Sequence, residues 1–259
     1  MYLEKINSPA DLKELSVEEM TVLAAEMREA LIVRASRHMG HVGPDLGFIE
    51  ATIALHAVFS SPEDKIIYDI SHQTYPHKML TGRREAYTDP AHYDDVSAYS
   101  NPKESPHDFF ELGHTSVSID LALGMAKARD LLGGTEKVVA VIGDGSLSGG
   151  EALEGLNTAG EFKGQFLILV NDNQMSIAEN HGGLYASLKA LRESNGTSEN
   201  NLFRAMGLDY RYEAAGNDIG ALIRALNAVK DLNHPLVLHI NTLKGKGYGP
   251  AETRKEEFH

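Results

Sequence analysis

Neither cysteine nor tryptophan occurs in the chain. Without thiols there are no disulfides and no thiolate metal sites, a pattern that fits the cytosol. No apolar run approaches the length needed to cross a bilayer, so no membrane span is expected. The N-terminus, MYLEKINSPADLKEL, lacks the basic-then-apolar pattern of a signal peptide, and the expected location is cytoplasmic. Basic residues are in deficit: 24 Lys and Arg stand against 37 Asp and Glu, a net charge of −13. Such a field repels a phosphodiester backbone and argues against nucleic acid as a partner. A phosphate ligand would need backbone amides, histidines or a metal ion to offset it. Also missing are internal repeats and low-complexity tracts. No GxGxxG follows an early strand, which leaves a nicotinamide-dependent oxidoreductase as a minor alternative. The spacings His38-x₂-His41 and His72-x₄-His77 have no HExxH-like companion, which speaks against zinc.

What is present is enough chain for a core: 259 residues, 42% of them apolar. Short strands are expected at 65–71, 137–143, 166–172, 209–215 and 236–242. Three of these are near-continuous apolar runs, as in strands buried on both faces of a parallel sheet. Helical patterns fall between them at 17–39, 45–59, 116–133, 148–162 and 218–232. The alternation predicts an α/β fold with a mostly parallel sheet and helices on both faces. Two stretches read as irregular, 88–113 and about 180–201. The first is long for a loop, which points to function or mobility. His56 reads as an ordinary core or surface histidine, His77 as structural beside Tyr75, and ETRKEEF as a solvated tail.

In such folds ligands gather at the carboxyl ends of strands. Asp144 and Asn173 both fall there. Asp144 lies between Gly143 and Gly145, residues that permit unusual backbone angles and close ligand approach. Its carboxylate is a hard oxygen donor, and Asn173 offers a neutral one. Ser146, Ser148 or Gly149 would lie near a helix N-terminus, where free amides favour anions. One carboxylate, one amide oxygen, a backbone carbonyl and ligand phosphates form the incomplete octahedron that Mg²⁺ accepts.

Gly143-Asp144-Gly145, then 27 residues, then Asn173 in NDNQMSI, resembles the thiamine diphosphate fingerprint. Four further blocks, GHVGPDLGFIEATIALHAVF, DISHQTYPHKMLTGR, GHTSVSIDLALGMAKARDL and LKGKGYGPAE, resemble the N-terminal half of 1-deoxy-D-xylulose-5-phosphate synthases, of the transketolase-like group. The resemblance implies that Asp144, Asn173 and the carbonyl of Met175 ligate Mg²⁺. It implies that Gly145 and Ser146 meet the diphosphate. Gly113, His114, Thr115 and Tyr248 match cofactor-contacting positions. His72 matches a histidine near both the diphosphate and the reacting carbon, and His41 one that exchanges protons with substrate. Imidazoles suit that work because they titrate near neutrality.

Residues 1–259 are thus expected to form one diphosphate-binding domain. In the family, a glutamate of a second, pyrimidine-binding domain activates the cofactor. Single-chain members continue into that domain after the GYGPAE motif, whereas seven residues follow Glu252 here. The expectation is a split enzyme: a separate pyrimidine-domain subunit, an α₂β₂ assembly, and transfer of a two-carbon ketol or acyl unit from a ketose phosphate or 2-oxo acid to an aldose phosphate. The chain alone would be inactive. Three departures from the family bear on the particular synthase activity: a short 178–200 segment, Asn217 where a histidine is usual, and an unusual 88–113 loop. The rival of another class is a non-catalytic or regulatory protein that keeps the fold without the chemistry.

Overall fold

A computed structural model describes residues 1–259. Five strands, β1 (Lys65–Tyr68), β2 (Val138–Gly143), β3 (Phe166–Asp172), β4 (Asp209–Glu213) and β5 (Pro235–Asn241), form one sheet in the order β1-β2-β3-β5-β4. Every pairing is parallel. The period of two divides each strand between two cores. Val138, Ala140 and Ile142, with Phe166, Ile168 and Val170, pack under the helices Ser118–Leu132 and Gly150–Ala159. Val139, Val141, Leu167, Leu169, Leu236 and Leu238 face the opposite side. There they meet α2 (Gly43–Val58) and the helix Ile219–Asn227. A third cluster joins α2 to α1 (Val17–Ala35), which begins at a capping box: Ser16 accepts from the Glu19 amide and Glu19 accepts from the Ser16 amide. Each buried Leu, Ile or Phe in these layers contributes about 1.5–3 kcal/mol.

The parallel α/β architecture matches the expectation, with differences at the margins. β1 ends at Tyr68 rather than Ser71, because Ile70 and Ser71 take left-handed backbone angles, φ 56° and 72°. That turn directs the chain from Asp69 to His72 across the end of the sheet. The stretch 180–201 is not wholly irregular: it holds the helix Gly183–Glu193, which buries Leu188 and Leu191.

The 88–113 loop is pinned by buried charge. Asp108 accepts from His77 Nε2 at 2.9 Å, from both terminal nitrogens of Arg83 at 2.8 and 2.9 Å, and from the Asn101 amide at 2.8 Å. Lys78 Nζ donates to Glu104 at 2.6 Å. Behind His77, His56 closes the row through its Nε2 at 2.9 Å from His77 Nδ1. His77 therefore does not sit beside Tyr75 as expected from sequence; its ring lies 5.0 Å from those of His56 and Tyr68. The Ser100 amide donates to Ser71 Oγ at 2.8 Å, so the loop is tied to the residue preceding His72. Removing one partner of a buried ion pair strands the others, at about 3–5 kcal/mol. Asp108→Ala is therefore expected to lower the melting temperature by about 10 °C. A thermal scan showing no change would contradict that anchoring role.

Candidate functional site

The carboxyl ends of β1, β2 and β3 open onto one polar cavity of about 460 Å³. Asp144 and Asn173, from the loops after β2 and β3, both line it, together with Met175, Gly145 and Ser146. His41 enters from the turn before α2, and His72 from the turn after β1. Thr115 reaches the wall because Asp69, at the end of β1, holds its loop: Asp69 accepts from the Ser116 and Ser118 amides at 2.9 and 3.0 Å. Thr115 Oγ1 then donates to Ser146 Oγ at 2.8 Å.

Not every residue singled out from sequence reaches the cavity wall. Gly113 and His114 are exposed beyond Thr115 and outside the wall. Tyr248 also lies outside it, its ring edge-on to Phe258 at 5.6 Å. Gly145 has an ordinary helical conformation, φ −59°, so backbone freedom is not why glycine stands there. A Cβ at Gly145 would instead collide with Ser176. Ser146 occupies a single turn, Ser146–Ser148, ahead of the helix that starts at Gly150.

Asp144 is 1% exposed. Its Oδ2 accepts from Asn180 Nδ2 at 2.8 Å, and its Oδ1 has no hydrogen-bond partner. Burial, with the neighbouring Asp172 carboxylate, pushes the Asp144 carboxyl well above the usual range. Asp172 itself has its compensation. Burial opposes its charge, but His239 (Nε2 at 2.9 Å) and Arg192 outweigh that and hold it low. Asp144 is thus the carboxylate of the pair whose charge the protein leaves uncompensated, and it faces a cavity that also presents Asn173. Asn173 Oδ1 accepts one bond, from the Met175 amide at 3.0 Å, which leaves a lone pair free. No group of three or more His, Asp or Glu side chains is placed to hold a metal ion. A cation here would take one carboxylate and neutral oxygens and complete its shell with ligand or water oxygens, the habit of Mg²⁺ rather than zinc. The donor set and the orphaned carboxylate oxygen fit such an ion.

On the other side of the cavity three imidazoles meet. The His41 and His72 ring centroids are 5.3 Å apart, and His259 lies 6.0 and 5.6 Å from them. Burial lowers His41. Burial, then His41, His259 and Lys244, push His72 down to about 3. His259 falls to about 4, through burial first and then Lys244 and His41. At neutral pH these are uncharged rings, and Nδ1 of His41 and of His72 are buried without partners. Lys244 is 1% exposed and donates to the Ser176 carbonyl at 2.7 Å. Burial pulls it down to about 8, with Asp144 acting against the shift.

Sequence reasoning missed Lys244, Asp69, Tyr99 and His259. Lys244 stands inside a block quoted above, so its motif carried a signal. Tyr99 lines the cavity with its ring 5.6 Å from that of His41. His259 directly follows ETRKEEF, expected to be a solvated tail, and the end of that segment instead docks on the start of α2: the Gly43 amide donates to the Phe258 carbonyl at 2.7 Å and the Val42 amide to the His259 carbonyl at 3.2 Å. Asn217, the departure noted above, lies outside the cavity wall. Its amide donates to the Gly47 carbonyl and Glu50 and accepts from the Leu243 amide, tying the 243–248 loop to α2.

Comparison with known proteins gives the family and the fold. A family model described as 1-deoxy-D-xylulose-5-phosphate synthase matches residues 3–200. The chain is 41% identical to 1-deoxy-D-xylulose-5-phosphate synthase 2 of Geobacter sulfurreducens over 293 aligned positions, covering 99% of this chain and 47% of that protein. It is 41% identical to the 1-deoxy-D-xylulose-5-phosphate synthase of Chlorobium phaeovibrioides, covering 99% and 46%. The chain spans about half the length of the curated relatives it matches. The aligned length exceeds the chain's own, so the relatives carry inserted residues. Among solved structures, the transketolase of Campylobacter jejuni superposes with a TM-score of 0.73 at 18% identity, over 93% of this chain and 40% of that one. The transketolase from Leishmania mexicana does so at 0.70 and 18%, over 91% and 38%. At that identity the likeness is one of fold.

Proposed function

The chain belongs to the 1-deoxy-D-xylulose-5-phosphate synthase family, and on that premise we propose that it is the diphosphate-binding half of a thiamine diphosphate- and Mg²⁺-dependent transferase. The reaction moves a two-carbon ketol or acyl unit from a ketose phosphate or a 2-oxo acid such as pyruvate to an aldose phosphate. The observation that carries this reading is the buried, partnerless Asp144 Oδ1 in a cavity shared with Asn173 and Met175.

Asp144, Asn173 and the Met175 carbonyl hold the metal, and Gly145, Ser146 and Thr115 meet the diphosphate. Lys244, the one buried cation lining the cavity, adds positive charge beside Asp144 in an otherwise acidic protein. When bound, thiamine diphosphate supplies the electron sink for breaking and making the carbon–carbon bond. The chain's own part is positioning and proton traffic. His41 and His72 are neutral and their buried Nδ1 atoms lack protein partners. Neutral imidazoles at these positions can hydrogen-bond a substrate oxygen and relay a proton; His72, pushed down to about 3, is a weak base and serves chiefly as a hydrogen-bond partner.

The second half of the active site, the pyrimidine-binding domain, comes from another polypeptide in an α₂β₂ assembly. Exposed apolar side chains beside the cavity support a covering partner. Ile177 lines the cavity and is 60% exposed, and Met39, two residues before His41, is 91% exposed. With thiamine diphosphate, Mg²⁺, pyruvate and an aldose phosphate, the chain alone is expected to show no transfer. Adding a polypeptide that carries the pyrimidine domain is expected to start it. Sustained turnover by the pure chain, read as pyruvate loss, would refute the split.

A further inference from the structure

The loop that carries Asn173 returns on itself. Beyond it, Met175 bridges Glu179 in antiparallel fashion, and the Ser176 amide donates to the Ala178 carbonyl at 2.9 Å. This narrow turn brings Asn180 back to the end of β2. There Asn180 Nδ2 donates to Asp144 Oδ2 at 2.8 Å. The other end of the same amide is occupied: Asn180 Oδ1 accepts from Ser176 Oγ at 2.6 Å. The serine hydroxyl needs an acceptor and the carboxylate needs a donor, so both neighbours fix the amide in one orientation.

A carboxylate on a short side chain turns readily about its last torsion, which has only broad, shallow preferences. At Asp144 a second carboxylate, Asp172, lies beside it, and no cation pairs with it directly. Backbone amides of Gly145 and Asn173 also face the carboxylate, and Asn180 supplies its one side-chain donor. It engages Oδ2 and leaves Oδ1, buried and without a partner, as the single free donor. The anchor is itself braced. Ser176 accepts Lys244 at its carbonyl, and Ser176 is also the residue that a side chain at Gly145 would strike.

We propose that Asn180 is a positioning residue of the metal site: through Nδ2 it fixes the rotation of Asp144 so that Oδ1 alone is offered to a divalent cation. This rests on the metal–diphosphate reading above. Ser176 acts one step further out, by orienting the Asn180 amide. Partners of metal-ligating carboxylates commonly govern affinity by about 10–100-fold.

The test is titration of the chain with Mn²⁺ in the presence of thiamine diphosphate, following free Mn²⁺ by electron paramagnetic resonance, alongside melting curves without metal. Asn180→Ala is expected to weaken Mn²⁺ binding about 10–100-fold and, because the buried Asp144 loses its side-chain donor, to lower the metal-free melting temperature by a few degrees. Ser176→Ala, an exposed substitution that spares the fold, is expected to weaken it in the same direction by less. Asp144→Asn is the reference arm and is expected to lose saturable binding. If Asn180→Ala and Ser176→Ala both bind Mn²⁺ within about threefold of the native chain while Asp144→Asn does not bind, the positioning role is overturned and the metal reading stands. If Asp144→Asn binds like the native chain, the metal reading falls and the role of Asn180 falls with it.

Discussion

Asp144→Asn is expected to raise the melting temperature of the metal-free chain by about 5 °C while abolishing Mg²⁺-dependent binding of thiamine diphosphate. The two effects have one cause. Asp144 is buried, one of its oxygens has no partner, and Asp172 stands beside it. Burial and like charge both disfavour the ionised form, so its folded pKa lies above the unfolded value. At neutral pH that difference subtracts from stability. An asparagine keeps an acceptor for Asn180, and its amide can donate toward Asp172. Removing an unfavourable buried charge in this way stabilises by on the order of 1–2 kcal/mol, which in a chain of this size corresponds to a few degrees. The metal would lose its one charged side-chain ligand. Such opposition between stability and function is the signature of a binding site. A variant that melts lower and still binds the cofactor with Mg²⁺ would make Asp144 a structural residue.

The second large effect is on acid stability and lies outside the site. His56 and His77 are fully buried, and burial first of all holds both below the ordinary histidine pKa, His56 far below it. The sign follows from linkage. Below about pH 6.5 the unfolded chain takes up protons that the folded chain refuses, so stability falls with pH across that window. An imidazole kept neutral down to pH 5 costs about 2 kcal/mol there relative to pH 7.5. Asp45 and Asp144 act in the opposite sense, since burial holds their carboxyls high. The informative quantity is therefore a difference between proteins. Between pH 7.5 and pH 5, His56→Gln is expected to lose about 2 kcal/mol less than the native chain in urea titrations. Equal losses would mean that His56 takes up its proton in the folded state.

How far these features could be read from sequence varies by element. The central strands announced themselves, because VVAVI and FLILV are apolar on both faces and only a covered parallel sheet accommodates that. Asp144 and Asn173 followed, since the ends of such strands are where loops converge. The end of β1 did not follow, because left-handed angles at Ile70 and Ser71 have no local signal and arise from the surrounding packing. The helix Gly183–Glu193 was obscured by Gly182, Gly183 and Gly196, which read as punctuation. His259 and Tyr99 reach His41 from more than fifty residues away, and one sequence does not reveal such proximity. Asn180 was invisible for another reason: its role lies in a single hydrogen bond across the sheet end, from one strand's loop to another's.

The most direct test of the metal–diphosphate site is a crystal of the chain grown with thiamine diphosphate and Mn²⁺, measured for anomalous scattering. The expected result is one strong peak bonded to Asp144 Oδ1, Asn173 Oδ1 and the Met175 carbonyl, with diphosphate oxygens completing the shell. A peak elsewhere, or Asp144 and Asn173 turned away from a diphosphate that binds without them, would contradict it.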